Sequence, residues 1–185
     1  APTSFAQSMS MPLATGGPDD FGYTYDDTVP VSWISATIDS GVSGDESRSF
    51  PPLDIGFSFP FYGFNHAQLS IHTNGFLTFD PISDCCFFEA LPIPSAAAPN
   101  NYIAPFWEDL VVGAPFNSGA IYYERGGVAP DRYLVVEWRD VTTFLGSDPF
   151  SFEVILYENG NILTQLQSLP ASYYSTIGIE NNAGE

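Results

Sequence analysis

The chain has 185 residues, of which 44% are hydrophobic and only 14% are charged. Its formal net charge is −18, from 22 acidic residues against four arginines, and it contains no lysine. This charge excludes nucleic acid and anionic membranes as partners because both would be repelled, and no apolar run reaches the ~18 residues of a membrane-inserted helix.

The first predicted element is an N-terminal arm, residues 1–17, ahead of a single domain predicted over residues 18–185. Four apolar residues occupy odd positions of the arm: Phe5, Met9, Met11 and Leu13. This period-2 alternation is typical of a half-buried strand. Two interpretations stay open, a disordered leader or linker, and a strand that adds to a sheet edge of its own domain or of a neighbouring copy.

Two pairs of aspartates flank the aromatic segment that follows the arm. They are Asp19, Asp20, Asp26 and Asp27. Neighbouring side chains of a strand point to opposite faces, so each pair offers one carboxylate to a given site unless the backbone turns there. Such aspartates either form turns or supply oxygen ligands to Ca²⁺. A calcium site at these residues is therefore the one cofactor that the sequence suggests.

Four strands are predicted in the first half of the domain, at residues 31–38, 55–59, 68–72 and 76–79. The first places Trp33 in the core, and the second ends before Pro60. The last two are separated by Thr73-Asn74-Gly75. An Asn-Gly pair in this position forms either a hairpin turn or a bulge within one long strand.

Residues 80–101 form the longest irregular segment and contain the only cysteines, Cys85 and Cys86. Adjacent cysteines fit neither a metal site, which needs spaced thiols, nor a redox motif, which has two intervening residues. The alternatives are a vicinal disulfide, bridges to other chains, and two free thiols. A vicinal bridge is strained, because adjacent Cα atoms lie closer together than in ordinary disulfides.

Six further strands are predicted, at residues 102–110, 119–124, 132–138, 150–157, 161–167 and 176–180. One face of strand 150–157 is apolar, from Phe150 to Leu156 at every second position. Asn159-Gly160 then predicts a tight hairpin turn. About ten short strands at regular spacing predict an all-β fold, a β-sandwich of mostly antiparallel strands.

No catalytic motif is present in the sequence. There is no Gly-x-Ser-x-Gly, and His66 and His72 have no acidic neighbour. Glu108 and Asp109 are consecutive and would point apart on a regular strand, unlike the facing carboxylates of a glycosidase. We therefore predict that the protein is not an enzyme. Pairs of aromatic residues that could stack on a sugar are Tyr122, Tyr123, Tyr173 and Tyr174.

Several segments, in this order, carry a family resemblance. They are residues 53–63 (LDIGFSFPFYG), 71–79 (IHTNGFLTF), 101–110 (NYIAPFWEDL), 135–138 (VVEW) and 154–160 (VILYENG). The series resembles the nidogen-like β domain and its bacterial relatives, which occur in secreted and surface proteins, often beside subtilisin-like proteases. The resemblance implies an extracellular or cell-surface setting.

The resemblance also favours particular local interpretations. It implies that Thr73-Asn74-Gly75 is a bulge in a continuous strand. Bacterial relatives carry a Cys-Cys pair at the place of Cys85 and Cys86, which favours the vicinal disulfide. In such proteins a motif like Gly178-Ile179-Glu180-Asn181 leads into a last strand that this sequence lacks. We expect an open sheet edge there, which the arm of another copy could fill.

The predicted function is that of a non-catalytic extracellular structural or adhesive module. Exchange of the N-terminal strand between copies would give a head-to-tail homo-oligomer, and thus a filament or surface layer. The alternative is a calcium-dependent module that binds a surface glycan, matrix or another protein and accompanies a secreted enzyme.

Overall fold

A computed structural model describes residues 14–80, 90–170 and 174–185. These residues form strands and loops, with a single short 3-10 helix at Ala114–Phe116. None of the helical structure in this described part is long and apolar enough to cross a bilayer.

The chain divides into two compact units, residues 1–32 and residues 33–185. In the first unit, β1 (Thr15–Gly16) pairs antiparallel with β2 (Tyr25–Asp26). The end of the predicted arm thus forms a two-stranded ribbon with the segment between the aspartate pairs. The domain boundary at residue 17 stays a prediction.

The second unit contains the remaining described strands. They are β3 (Ile38–Asp39), β4 (Gly44–Asp45), β5 (Leu53–Phe61), β6 (Phe64–His72), β7 (Phe76–Thr78), β8 (Tyr102–Trp107), β9 (Leu110–Val112), β10 (Ala120–Gly126), β11 (Tyr133–Thr143), β12 (Phe150–Tyr157), β13 (Ile162–Leu166) and β14 (Thr176–Glu180). One sheet has five strands in the order β14-β8-β7-β6-β5. The other has seven, with the main order β13-β12-β11-β10-β3, and β9 pairs with both β11 and β4. All of these pairings are antiparallel.

Aromatic side chains fill the space between the two sheets. Phe106 of β8 contacts Phe150 and Phe152 of β12, with ring centroids 5.2 and 5.5 Å apart. Phe152 also stacks on Trp138 of β11 at 4.9 Å. The predicted all-β sandwich is therefore confirmed, and the apolar face of β12 lies in its core.

Local sequence signals located several elements correctly. The bounds of β12 and β14 are those predicted, and β12 and β13 form the hairpin predicted from Asn159-Gly160. At this turn the Asn159 side chain accepts a hydrogen bond from the Asn161 N–H at 3.0 Å, and Gly160 has a φ of 93°. The turn chemistry that the sequence specifies is thus the one that the chain uses.

The predicted bulge at Thr73-Asn74-Gly75 is wrong, because these residues form the turn of a hairpin. β6 and β7 pair antiparallel, with His72 opposite Phe76. Gly75 has a φ of 77°, and a Cβ there would lie 2.0 Å from the carbonyl oxygen of Phe106. Only glycine permits this approach, so the buried turn packs directly on β8.

Two predicted strands are shorter than expected. Of residues 31–38, only Ile38 lies in a strand, as the first residue of β3, and Trp33 is half-buried rather than part of the core as predicted. The predicted strand 102–110 stops at Trp107, and β9 begins at Leu110. At this break the backbone N–H groups of Glu108 and Leu110 donate to Asn74 of the buried turn, at 3.2 and 3.1 Å. Asn74 therefore occupies the backbone groups that a continuous strand would pair.

Other strand ends also differ. β5 does not end before Pro60 but continues to Phe61, with Pro60 paired opposite Asn65. Pro60 is tolerated because β5 lies at the edge of its sheet, where a strand needs no N–H on one side.

Candidate functional site

One candidate site is the edge of the five-stranded sheet formed by β14. Among the described strands, β14 pairs only with β8. Its Thr176 Oγ1 donates to the Leu91 carbonyl at 2.7 Å, and Glu180 Oε2 accepts from the Ser95 N–H at 2.6 Å. These contacts join β14 to residues 90–95, here called the cover segment, which lies on the outer face of this sheet.

The inner side of β14 presents apolar side chains at its rim. Because side chains alternate along a strand, Ile177 and Ile179 point away from the cover segment and towards the other sheet. Ile177 is nevertheless 51% exposed, and Ile179 is half-buried. The rim of β14 therefore has two features. Its edge has no strand neighbour within the described residues, and its apolar side chains are partly exposed to water.

The opposite edge of the same sheet is protected. β5 pairs only with β6 among the described strands, and two arginines reach it from the other sheet. Arg125 of β10 donates to the Asp54 carbonyl through Nε at 3.1 Å and also through Nη2. Arg132 donates to the Gly56 carbonyl at 3.0 Å. These guanidinium groups occupy carbonyls that an added strand would need.

A second candidate site is a cleft of about 460 Å³ near the break between β8 and β9. It is lined by Glu108, Asp109, Thr143, Phe144, Leu145, Gly146 and Tyr174. Leu145 is 95% exposed and Tyr174 87% exposed. The Tyr174 N–H donates to Glu108 Oε2 at 2.5 Å, and the Phe144 N–H donates to the Asp109 carbonyl at 2.8 Å. In this cleft, two carboxylate residues thus lie near side chains that are exposed to solvent.

Both carboxylates that line this cleft are perturbed by their surroundings. Burial raises the pKa of Glu108 and of Asp109, and for Asp109 the nearby Asp45 and Glu46 raise the pKa further. Asp109 Oδ1 and Asp45 Oδ1 are buried without a hydrogen-bond partner in the described structure. A cationic ligand would offset this repulsion.

The prediction that Glu108 and Asp109 point apart applied to a regular strand, and the strand breaks where these two residues occur. Both residues line the cleft. A signal for the break was available, because two adjacent carboxylates are poorly suited to a strand that is buried on both faces.

The aspartates of the predicted calcium site act as turn residues in the first unit. Asp19 Oδ1 accepts from the N–H groups of Phe21 and Tyr23, at 2.9 and 2.7 Å. Asp26 Oδ1 accepts from Thr28, which lowers the pKa of Asp26, and Asp27 accepts from the Ala14 N–H. Asp20 lies exposed in the same turn as Asp19.

Within residues 14–80, 90–170 and 174–185, no three His, Cys, Asp or Glu side chains come together as a metal site. Calcium binding at Asp19, Asp20, Asp26 or Asp27 stays a prediction. Several other predicted residues lie outside the described part of the chain: Phe5, Met9, Met11, Leu13, Cys85, Cys86 and Tyr173. The donor-strand and vicinal-disulfide predictions therefore also stay predictions.

The two histidines lie on β6 and are structural. His72 is fully buried, its Nε2 is 3.1 Å from Thr78 Oγ1, and burial lowers its pKa to about 3. Burial also lowers the pKa of His66, whose ring packs on Phe79 at 4.4 Å. His72 is therefore neutral and inaccessible, which does not suit a general base.

Comparison with known proteins gives one family. The sequence model of the family described as NIDO related matches residues 22–185, which agrees with the resemblance to nidogen-like β domains. No solved structure matches the chain.

Proposed function

We propose that this chain, which belongs to the NIDO-related family, is an extracellular, non-catalytic structural or adhesive module that assembles with copies of itself. In this proposal, residues 5–13 of one copy form a strand along β14 of the next. The observation that carries the proposal is the edge of β14, which has no strand neighbour in the described structure and exposes Ile177.

The chemistry of the arm matches this edge. Main-chain hydrogen bonds of an added strand give affinity, and its alternate side chains give specificity. Phe5, Met9, Met11 and Leu13 fall on one face of an extended arm, so this face would cover Ile177 and Ile179. Small and polar residues such as Ser8 and Ser10 would face outward.

The charge of the chain sets a condition on assembly. Copies with a net charge of −18 repel one another, and salt screens this repulsion within about 10 Å at 0.1 M. Association through an apolar strand is therefore expected to strengthen as the salt concentration rises.

The test compares the full chain with a chain lacking residues 1–13, by electron microscopy and light scattering across a range of salt concentrations. The full chain is expected to form fibres or large assemblies, and the shortened chain to stay monomeric. The double variant Met9→Asp with Met11→Asp should abolish assembly. The double variant Ser8→Asp with Ser10→Asp adds the same charge to the opposite face of the arm and should retain most of the assembly.

The receiving edge is tested separately. Ile177→Lys places a charge on the rim of β14 and should block assembly, while Val128→Lys, at another exposed apolar position, should not. A full chain that is monomeric at every salt concentration, or variants at residues 9 and 11 that assemble normally, would overturn the proposal.

The cleft supports a second candidate function, a binding module for a glycan or a protein, with or without calcium. Its supporting observation is the pairing of Glu108 and Asp109 with the exposed Leu145 and Tyr174, because sugars are held by stacking and by hydrogen bonds to carboxylates. A glycan array, followed by calorimetry with calcium or chelator, tests it. Tyr174→Ala should abolish binding while Val128→Ala should not, and no signal on the array counts against this function.

A further inference from the structure

A short extended segment, residues 33–37, lies on the outer face of the seven-stranded sheet and is here called the strap. Its backbone bonds to side chains of the sheet. The N–H of Ile34 donates to Glu153 Oε1 at 3.1 Å, that of Ala36 to Glu137 Oε2 at 2.9 Å, and that of Thr37 to Glu124 Oε2 at 3.2 Å. Three glutamates on three adjacent strands thus hold one segment.

The strap covers an apolar patch. Ala36 packs on Val135 of β11 and Ile155 of β12, which are fully buried and point away from the core between the sheets. Half-buried residues complete the patch: Ile34, Tyr122, Tyr133, Tyr157 and Leu163. Release of the strap would expose Val135 and Ile155 to water.

Glu137 and Glu153 lie directly opposite each other on β11 and β12, beneath the strap. They are 2% and 0% exposed. Glu137 is neutralised by Arg139, which donates to its two oxygens at 2.8 and 2.6 Å. Two cations would be needed to pair both carboxylates. Glu153 has no such cation in the described structure.

The two oxygens of Glu153 have different surroundings. Oε1 accepts from the Ile34 N–H and from the Gln165 amide, the latter at 2.6 Å. Oε2 is buried and has no hydrogen-bond partner among the residues that the structure describes. This arrangement fits a protonated carboxyl, in which the carbonyl oxygen accepts hydrogen bonds and the other oxygen carries the proton.

The ionisable groups around Glu153 do not favour its charged form. The strap itself contributes no ionisable side chain, and β13 contributes the uncharged amide of Gln165. The remaining groups on the packed strands are Glu124 and Tyr122 of β10, Tyr133, Glu137 and Arg139 of β11, and Tyr157 of β12. Arg139 is already bonded to Glu137, so a second negative charge at Glu153 would lie next to an occupied cation.

We propose that the strap is a pH-responsive cover, closed while Glu153 carries a proton and opening as Glu153 ionises. Burial is the largest cause of a pKa of about 7 at Glu153, and the charge of Glu137 also raises this pKa, while the hydrogen bonds from Ile34 and Gln165 lower it and offset only part of the rise. Once the strap opens, Glu153 is hydrated and its pKa returns to its ordinary range. The closed state therefore binds the proton more tightly, and raising the pH through neutrality favours opening. This proposal is independent of the proposed assembly.

Hydrogen exchange tests the proposal on the full chain at low ionic strength, where assembly is weakest. Protection factors, which correct for the intrinsic pH dependence of exchange, are measured for the amides of Ile34 and Ala36 and for that of Val154 in the core. Between pH 5.5 and 8 the strap amides are expected to lose protection at least about tenfold, while Val154 keeps its protection.

Two variants separate the strap from general effects. Glu153→Gln keeps an acceptor for Ile34 but cannot ionise, so its strap should stay protected at pH 8. Glu124→Gln alters the exposed bond to Thr37 and should retain the wild-type pH dependence. Strap protection in the wild type that does not change with pH, or that falls equally in Glu153→Gln, would overturn the proposal.

A direct titration keeps the proposal testable if Glu153→Gln does not fold. The Cδ chemical shift of Glu153, followed by NMR in the wild-type chain, should titrate near pH 7 with the same midpoint as the loss of strap protection. A midpoint near 4.5, or protection lost at a different pH from the titration, would show that Glu153 does not control the strap.

Discussion

The outer faces of the two sheets are covered by two irregular segments that are held in different ways. On the five-stranded sheet the cover segment places Ala90, Leu91 and Ile93 on an aromatic cluster that includes Phe76 and Trp107. On the seven-stranded sheet the strap lies on the patch around Val135 and Ile155 and bonds to three glutamates. The first cover is held mainly by apolar area, which does not depend on pH, and the second mainly by carboxyl groups, which do.

The two covers have one kind of contact in common, and comparing it shows how they differ. Each contains a backbone N–H that donates to a fully buried glutamate, Ser95 to Glu180 and Ile34 to Glu153. Burial raises the pKa of both glutamates, but only Glu153 also faces a second carboxylate, Glu137. The charge of Glu137 close to Glu153 is therefore the feature that distinguishes the pH-responsive strap from the cover segment.

The largest effect is expected from removing the aromatic base of the cover segment. Trp107→Ala leaves a cavity under residues 90–95 and should lower the free energy of unfolding by about 3–5 kcal/mol, measured by denaturant titration. Under the strap, the conservative Ile155→Val should cost only about 1 kcal/mol. Similar losses of unfolding free energy in the two variants would contradict the idea that the cover segment is held by its aromatic base.

A pH-dependent effect on stability is expected next. The pKa of Glu153 is higher in the folded than in the unfolded chain, so between the two values the folded state binds more protons. The free energy of unfolding should thus fall as the pH rises from about 5 to about 8, by at most about 3 kcal/mol from Glu153. Glu153→Gln should flatten this slope and stabilise the protein at pH 8, and Glu180→Gln should flatten it less. Equal slopes in the wild type and Glu153→Gln would refute this account.

The smallest effect concerns single hydroxyl groups that fasten the two covers. Thr176→Val keeps the shape of the side chain but removes the bond to the Leu91 carbonyl, which should cost about 1 kcal/mol in unfolding free energy. Thr37→Val removes the exposed bond from the strap to Glu124 and should change stability by less than about 0.5 kcal/mol. The reverse order in thermal unfolding would show that the strap depends on its exposed bonds.

The sequence was informative where the signal was local. Alternation located β12, and Asn159-Gly160 specified the hairpin of β12 and β13, because each of these features depends on neighbouring residues. At Thr73-Asn74-Gly75 the local pattern allowed a turn or a bulge. The turn was decided by its contacts with Phe106 and Leu110, which lie more than 30 residues later in the chain.

The covers and the cleft could not be predicted from local pattern. The strap contains β-branched and aromatic residues that suggest a strand, but Ile34 and Ala36 bond to carboxylates more than 100 residues away. Only the tertiary fold brings Glu137 and Glu153 beneath them. The cleft likewise depends on a strand break that long-range bonds to Asn74 produce.

Arg125 and Arg132 have a consequence for any assembly that grows along β14. They are two of the four cations in the whole chain, and both occupy carbonyls of β5. The five-stranded sheet therefore has one capped edge and one uncapped edge, and it offers an incoming strand a single place to pair. Growth along β14 would then be linear and polar, with two chemically different ends, and fusion or branching through β5 would be suppressed.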